Sequence, residues 1–130
     1  MYSSLRRRAT LSLLVGLVCL IGAAQAQASA DGPTLCLTGS PACVWFTNNG
    51  DVIHVRDGAC DGYSAVAQIQ VPSAGIYNYL WNNDGCGTTR TYSYGTAVPE
   101  GAIVYYRPCI GDGNAGVVLR CTTPYAHGIA

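Results

Sequence analysis

The stretch Cys43-Val-Trp-Phe-Thr-Asn48-Asn49-Gly50-Asp51-Val-Ile-His-Val-Arg-Asp57 decides the fold. Two β-rich runs flank Asn49-Gly50, a dipeptide that accepts the positive φ angles of a two-residue type I′ turn. That turn pairs Asn48 with Asp51, Thr47 with Val52, Phe46 with Ile53, Trp45 with His54 and Val44 with Val55. Side chains alternate across a strand, so Val44, Phe46, Ile53 and Val55 share one face and form its core side. Trp45, His54 and Arg56 share the other.

The same grammar continues outward. Ser64–Val71 puts Ala65, Ala67, Ile69 and Val71 on one face against Gln68 and Gln70, and Pro72 ends the run because proline cannot donate to a ladder. Ile76–Trp81 follows, then a turn at Asn82-Asn83-Asp84-Gly85. Thr88–Tyr94 is stopped by Gly95. Ala102–Cys109 and Gly116–Thr122 form a last hairpin around Gly111-Asp112-Gly113-Asn114. Short runs of even spacing with turn signals between them predict seven strands in an antiparallel β-sandwich, immunoglobulin-like and Greek key. A small β-barrel is the alternative. The domain is expected over 43–123, with 27–42 as an N-terminal arm and 124–130 as a poorly ordered C-terminal tail.

Upstream, Arg6-Arg7-Arg8 precede an apolar run from Leu11 to Gly22 and two small-x-small patterns ending at Ala26 and Ala28. Residues 1–26 therefore read as a secretory signal peptide, too short in its apolar core for a membrane span. Removing it takes three of the seven cationic residues and none of the seven acids, so the mature chain is acidic. The whole chain is 49% hydrophobic and 11% charged, without Lys. Such a composition excludes a disordered chain, and it lacks the basic surface of a nucleic-acid binder. The mature form is expected off the membrane, secreted and monomeric.

Six cysteines remain after the signal: Cys36, Cys43, Cys60, Cys86, Cys109 and Cys121. An even count in a short secreted chain reads as three disulfides, for which six cysteines allow fifteen connectivities. The sequential one is expected: Cys36–Cys43 around a Gly/Ser/Pro loop, Cys109–Cys121 across the last hairpin, and Cys60–Cys86 between turn-rich segments. With no C-x-x-C pair and no paired His, no metal and no cofactor is implied.

Catalytic chemistry finds little purchase. His54 could act as a base with Ser64 or a carboxylate, but no nucleophile or zinc motif accompanies it, and a cross-strand pair with Trp45 is the simpler reading. Asp57-Gly-Ala-Cys-Asp61-Gly62 could offer oxygens to Ca²⁺, yet Asp and Gly are also turn formers. No catalytic residue is assigned. The aromatics form the candidate site: alternation places Tyr77, Tyr79 and Trp81 on one face, and Arg90, Tyr92 and Tyr94 on one face of the next strand. Should the two strands pair, an aromatic platform for sugar rings or a protein partner results. The competing reading is core or cross-strand packing, since Tyr is a good strand former. Of Tyr105 and Tyr106, only one can face the core.

Trp45-Phe46, Gly50-Asp51, Val55-x-Asp57, Asp61-Gly62-Tyr63-Ser64-Ala65-Val66, Trp81-Asn82, Thr88-Thr89, Val98-Pro99-Glu100-Gly101 and Tyr105-Tyr106-Arg107-x-Cys109-Ile110-Gly111 together resemble uncharacterised small secreted disulfide-bonded β-domain proteins of high-GC actinobacteria. The resemblance covers residues 43–121 and implies secretion and a compact β domain, with no activity attached. It also implies that Cys60 pairs with Cys86, because the two positions are lost together in some members. The function expected is a non-enzymatic extracellular binding module, for cell-wall or environmental polysaccharide. The alternatives are a secreted inhibitor of an extracellular hydrolase, presenting the loop 82–88, and a structural surface-associated protein.

Overall fold

The computed structural model describes residues 28–130, so the signal sequence expected over 1–26 lies outside the described residues. Among the described residues nine strands run β1 (Leu35–Cys36), β2 (Ala42–Thr47), β3 (Val52–Asp57), β4 (Ser64–Val71), β5 (Ile76–Asn82), β6 (Thr89–Ser93), β7 (Ile103–Asp112), β8 (Val117–Cys121) and β9 (Ala126–Ile129). They form two antiparallel sheets. The first has the order β1-β2-β3-β6; the second has the order β5-β4-β7-β8, with β9 also paired to β7. Among the described residues no hydrogen-bonded strand pair joins the sheets, so a sandwich forms and not a closed barrel. The orders β2-β3-β6 and β5-β4-β7-β8 correspond to strands A-B-E and C′-C-F-G of the immunoglobulin scheme.

The apolar faces read from the sequence meet between these layers. Val44, Phe46, Ile53 and Val55 are each no more than 1% exposed, and so are Ala65, Ala67, Ile69 and Val71 opposite. The hairpin register matches the expected one from Val44↔Val55 to Thr47↔Val52. Its turn does not: positive φ falls on Gly50 and Asp51 (84° and 50°), not on Asn49 and Gly50 as a type I′ turn requires. A contact just past β6 accompanies the shift. Tyr94 N–H donates to Asp51 O, so Asp51 belongs to the junction with β6 as well as to the hairpin.

The two ends of the domain also differ from expectation. Ala126–Ile129 is a strand, not a loose tail, and it occupies the edge of β7 that β8 leaves free over Ile103–Tyr106. Gly128 permits this, because a Cβ there would collide with Phe46. The arm is built in too. Gly32 N–H donates to Phe46 O at 3.0 Å, Leu37 is buried, and Ala30 bridges Ile129. Tyr106 is the core tyrosine, its hydroxyl donating to Pro33 O, while Tyr105 faces outward. Burial raises the Tyr106 pKa to about 12, so this hydroxyl stays a donor at any ordinary pH.

All three disulfides take the sequential pairing, Cys36–Cys43, Cys60–Cys86 and Cys109–Cys121. Such bridges belong to an oxidising compartment. Among the described residues no helix is long and apolar enough to cross a membrane.

Candidate functional site

The six aromatic and cationic residues singled out in the sequence do not make one platform, because their strands do not pair. β5 is an edge of the second sheet and β6 an edge of the first. Tyr92 and Tyr94 turn toward the seam between the sheets and pack against the core. The Tyr92 hydroxyl donates to Trp81 O at 2.6 Å, and Asn78 Nδ2 donates to the Tyr94 hydroxyl at 3.4 Å. Desolvation raises the Tyr94 pKa. Arg90 lies at the exposed edge, 3.8 Å from Asp84, a solvent-screened pair of little energetic weight. Tyr92 and Tyr94 thus help to close the sandwich.

Tyr77, Tyr79 and Trp81 remain together on the outer face of the second sheet. Tyr77 and Tyr79 are 62% and 48% exposed, among the most open large side chains described. The register sets partners beside each. Tyr77 lies opposite Gln70, which lies opposite Tyr105; Tyr79, Gln68 and Arg107 form the next row, and Trp81, Val66 and Cys109 the third. The Trp81 ring reaches across to Gly111, which has no side chain to block it. A Cβ there would come within 2.5 Å of its ring.

The polar groups in these rows are held by one another. Gln68 Nε2 donates to the Tyr79 hydroxyl at 2.9 Å, while its Oε1 accepts from Arg107 Nε at 2.7 Å and from the Tyr125 hydroxyl at 2.9 Å. Gln70 Nε2 donates to that same Tyr125 hydroxyl at 2.9 Å. The Arg107 guanidinium sits 4.5 Å from the Tyr125 ring centroid, within cation–π range. The Tyr79 hydroxyl accepts here, so its own proton is free to donate outward. The sheet thus presents two open tyrosine rings beside a braced row of amide, guanidinium and phenol groups.

Gln68, Gln70, Arg107 and Tyr125 were not among the sequence candidates. Alternation marked the glutamines as outward facing, but nothing local announces that β7 and the β9 approach lie alongside them.

His54, Asp57 and Asp61 make stacking and turn contacts. His54 stacks on Trp45 with ring centroids 4.7 Å apart and planes 4° from parallel, and its Nε2 lies 3.1 Å from Thr47 Oγ1. Desolvation lowers its pKa, with Asp31 opposing. It stands on the outside of the first sheet, whereas Ser64 stands on the second. Asp57 and Asp61 each accept a backbone N–H two residues on, from Ala59 and Tyr63, as turn formers do. Among the described residues no three His, Cys, Asp or Glu side chains gather as metal ligands would.

The Asn82-Asn83-Asp84-Gly85 string predicts a turn, yet Asn82 is fully buried at the end of β5. Its Nδ2 donates to Val55 O at 3.0 Å and Thr88 O at 3.1 Å, and its Oδ1 accepts from Asp84 N–H at 3.1 Å. One amide thus joins both sheets and starts the loop 83–88. Gly87 N–H donates to Asp57 O, and Cys86 is bridged to Cys60, so this loop is tied back onto the β3–β4 connection.

No protein-family model matches the chain, no curated protein matches it, and no solved structure matches it.

Proposed function

We propose that this protein is a secreted, non-enzymatic binding module that holds polysaccharide on the outer face of the β5-β4-β7 sheet. One observation carries the reading: Tyr77 and Tyr79 stand open along one strand, beside Gln68, Gln70 and Arg107 held in fixed positions. A sugar ring has an apolar face and a polar rim. Tyrosine rings meet the face at low entropic cost, and planar amide and guanidinium groups meet the rim. Because these polar groups are already braced, little order has to be gained on binding.

The test is co-sedimentation of the oxidised protein with chitin, cellulose and peptidoglycan. Tyr77→Ala/Tyr79→Ala should reduce retention at least tenfold, the loss of about 1.4 kcal/mol, with unchanged thermal unfolding. Equal retention of the folded double variant would sink this reading.

A further inference from the structure

The outer face of the second sheet continues past Trp81. Alternation carries it to Asn83 beyond β5 and to Ser64 at the start of β4. There the surface drops into a cleft of about 580 Å³ between the connections 58–63, 83–88 and 113–116. Its volume falls in the ~300–1,000 Å³ range of small-molecule sites. Its innermost lining includes Asp57 and Asn82, both buried, and the Cys60–Cys86 bridge joins two of its walls. Tyr63 lines it as well and is 46% exposed.

Gly113 keeps this cleft open. Its φ is not in the left-handed region, so the backbone does not require glycine there. The requirement is one of space: a Cβ at 113 would lie 2.6 Å from Ser64 Oγ and 2.9 Å from Asn83 Oδ1. The bare glycine leaves a hydroxyl and an amide uncovered side by side. The hydrogen bonds that hold the surrounding loops run through Asn82, Asp57 and Asp61 instead. No Arg, Lys or His lines the cleft, which disfavours an anion. Amide, hydroxyl and one open aromatic ring suit a neutral, hydroxyl-rich ring.

We propose that this cleft is the terminal subsite of the same binding face: the strip Tyr77–Tyr79–Trp81 carries successive sugars of a neutral polysaccharide, and the end sugar seats against Tyr63, Ser64 and Asn83. This rests on the polysaccharide reading above. A flat strip takes the middle of a chain, whereas a depression with a buried floor takes its end.

The experiment uses chitin and cellulose, each before and after limited acid hydrolysis, which multiplies chain ends at constant mass. Bound wild-type protein should rise with the number of ends. Gly113→Ala should abolish that rise and weaken binding at least tenfold. Its fold should survive, since the crowded atoms are tips of two short side chains. Tyr63→Ala, a change at an exposed ring, should act in the same direction should Gly113→Ala lower the melting temperature. Wild-type binding independent of ends, with both variants behaving as wild type, would overturn the terminal subsite and leave the strip standing. Retention on peptidoglycan alone, whose stems carry carboxylates, would overturn it equally. No retention on any polymer would sink the strip and the subsite together.

Discussion

β5 and β6 carry nearly the same pattern, Tyr77-x-Tyr79-x-Trp81 against Arg90-x-Tyr92-x-Tyr94, and use it in opposite directions. On β5 the rings point away from the sandwich and stay open. On β6 they point into the seam, where the Tyr92 hydroxyl reaches the backbone of β5 itself. Both strands are sheet edges. The difference lies in what stands across from each inner face. β5 has Leu80 and Asn82 for its inner side, so its rings are free to go out. β6 has only Thr89, Thr91 and Ser93 on its other face, so Tyr92 and, just past the strand, Tyr94 supply the bulk that fills the seam. Aromatic alternation therefore marks a set of rings that move together, and the neighbouring residues of the strand decide which way they face.

Substitutions can break or sharpen this contrast. Asn82→Ala should have the largest effect on stability, about 2–3 kcal/mol in denaturant unfolding, since it leaves buried backbone groups without their partner. It should also loosen β5 from the first sheet, which amide exchange at Asp84 and at Asp57, whose N–H donates to Thr88 O, would report. Tyr92→Phe removes one half-buried hydroxyl and should cost about 1 kcal/mol. Tyr79→Phe removes an exposed one and should stay within about 0.5 kcal/mol. Equal costs for the two would erase the distinction between seam and open face.

The smallest effect belongs to the stacked pair on the first sheet. His54 has a native pKa held below 6.5 by burial. Between that lowered value and 6.5 the unfolded chain binds more protons than the native one. Stability should therefore decline as pH falls through this window and level off below it. Replacing His54 by Gln should flatten the slope in denaturant titrations across that range. A slope unchanged by the replacement would mean that another group sets it.

Much of the fold could be read from residues alone. The quartet Val44, Phe46, Ile53 and Val55 and the run Ala65–Val71 announce two apolar faces, and two such faces need each other. What could not be read lies at longer range. Alternation tells which side chains share a face but not which sheet a strand joins, so the sequence leaves β5 and β6 free to pair. Asn82 sits in an Asn-Asn-Asp-Gly string that is locally a turn, and only the arrival of Val55 O and Thr88 O makes it an anchor. β9 is only four residues long and follows Pro124, and its burial depends on a glycine whose reason is Phe46, far away in sequence. Half of the candidate face, Tyr77, Tyr79 and Trp81, was visible. The other half required the register of β4 on β7.

The three disulfides have a consequence for wear. They close over 36–43, 60–86 and 109–121, and the latter two spans enclose the exposed tips at 83–85 and 113–116. Such tips are where proteases cut first. A single cut at Gly85 or Asn114 would release no fragment, because the one bridge that spans the cut, Cys60–Cys86 or Cys109–Cys121, still joins the two pieces. The molecule can be nicked at its loops and still keep both sheets in place, which is a useful property wherever hydrolases share the medium.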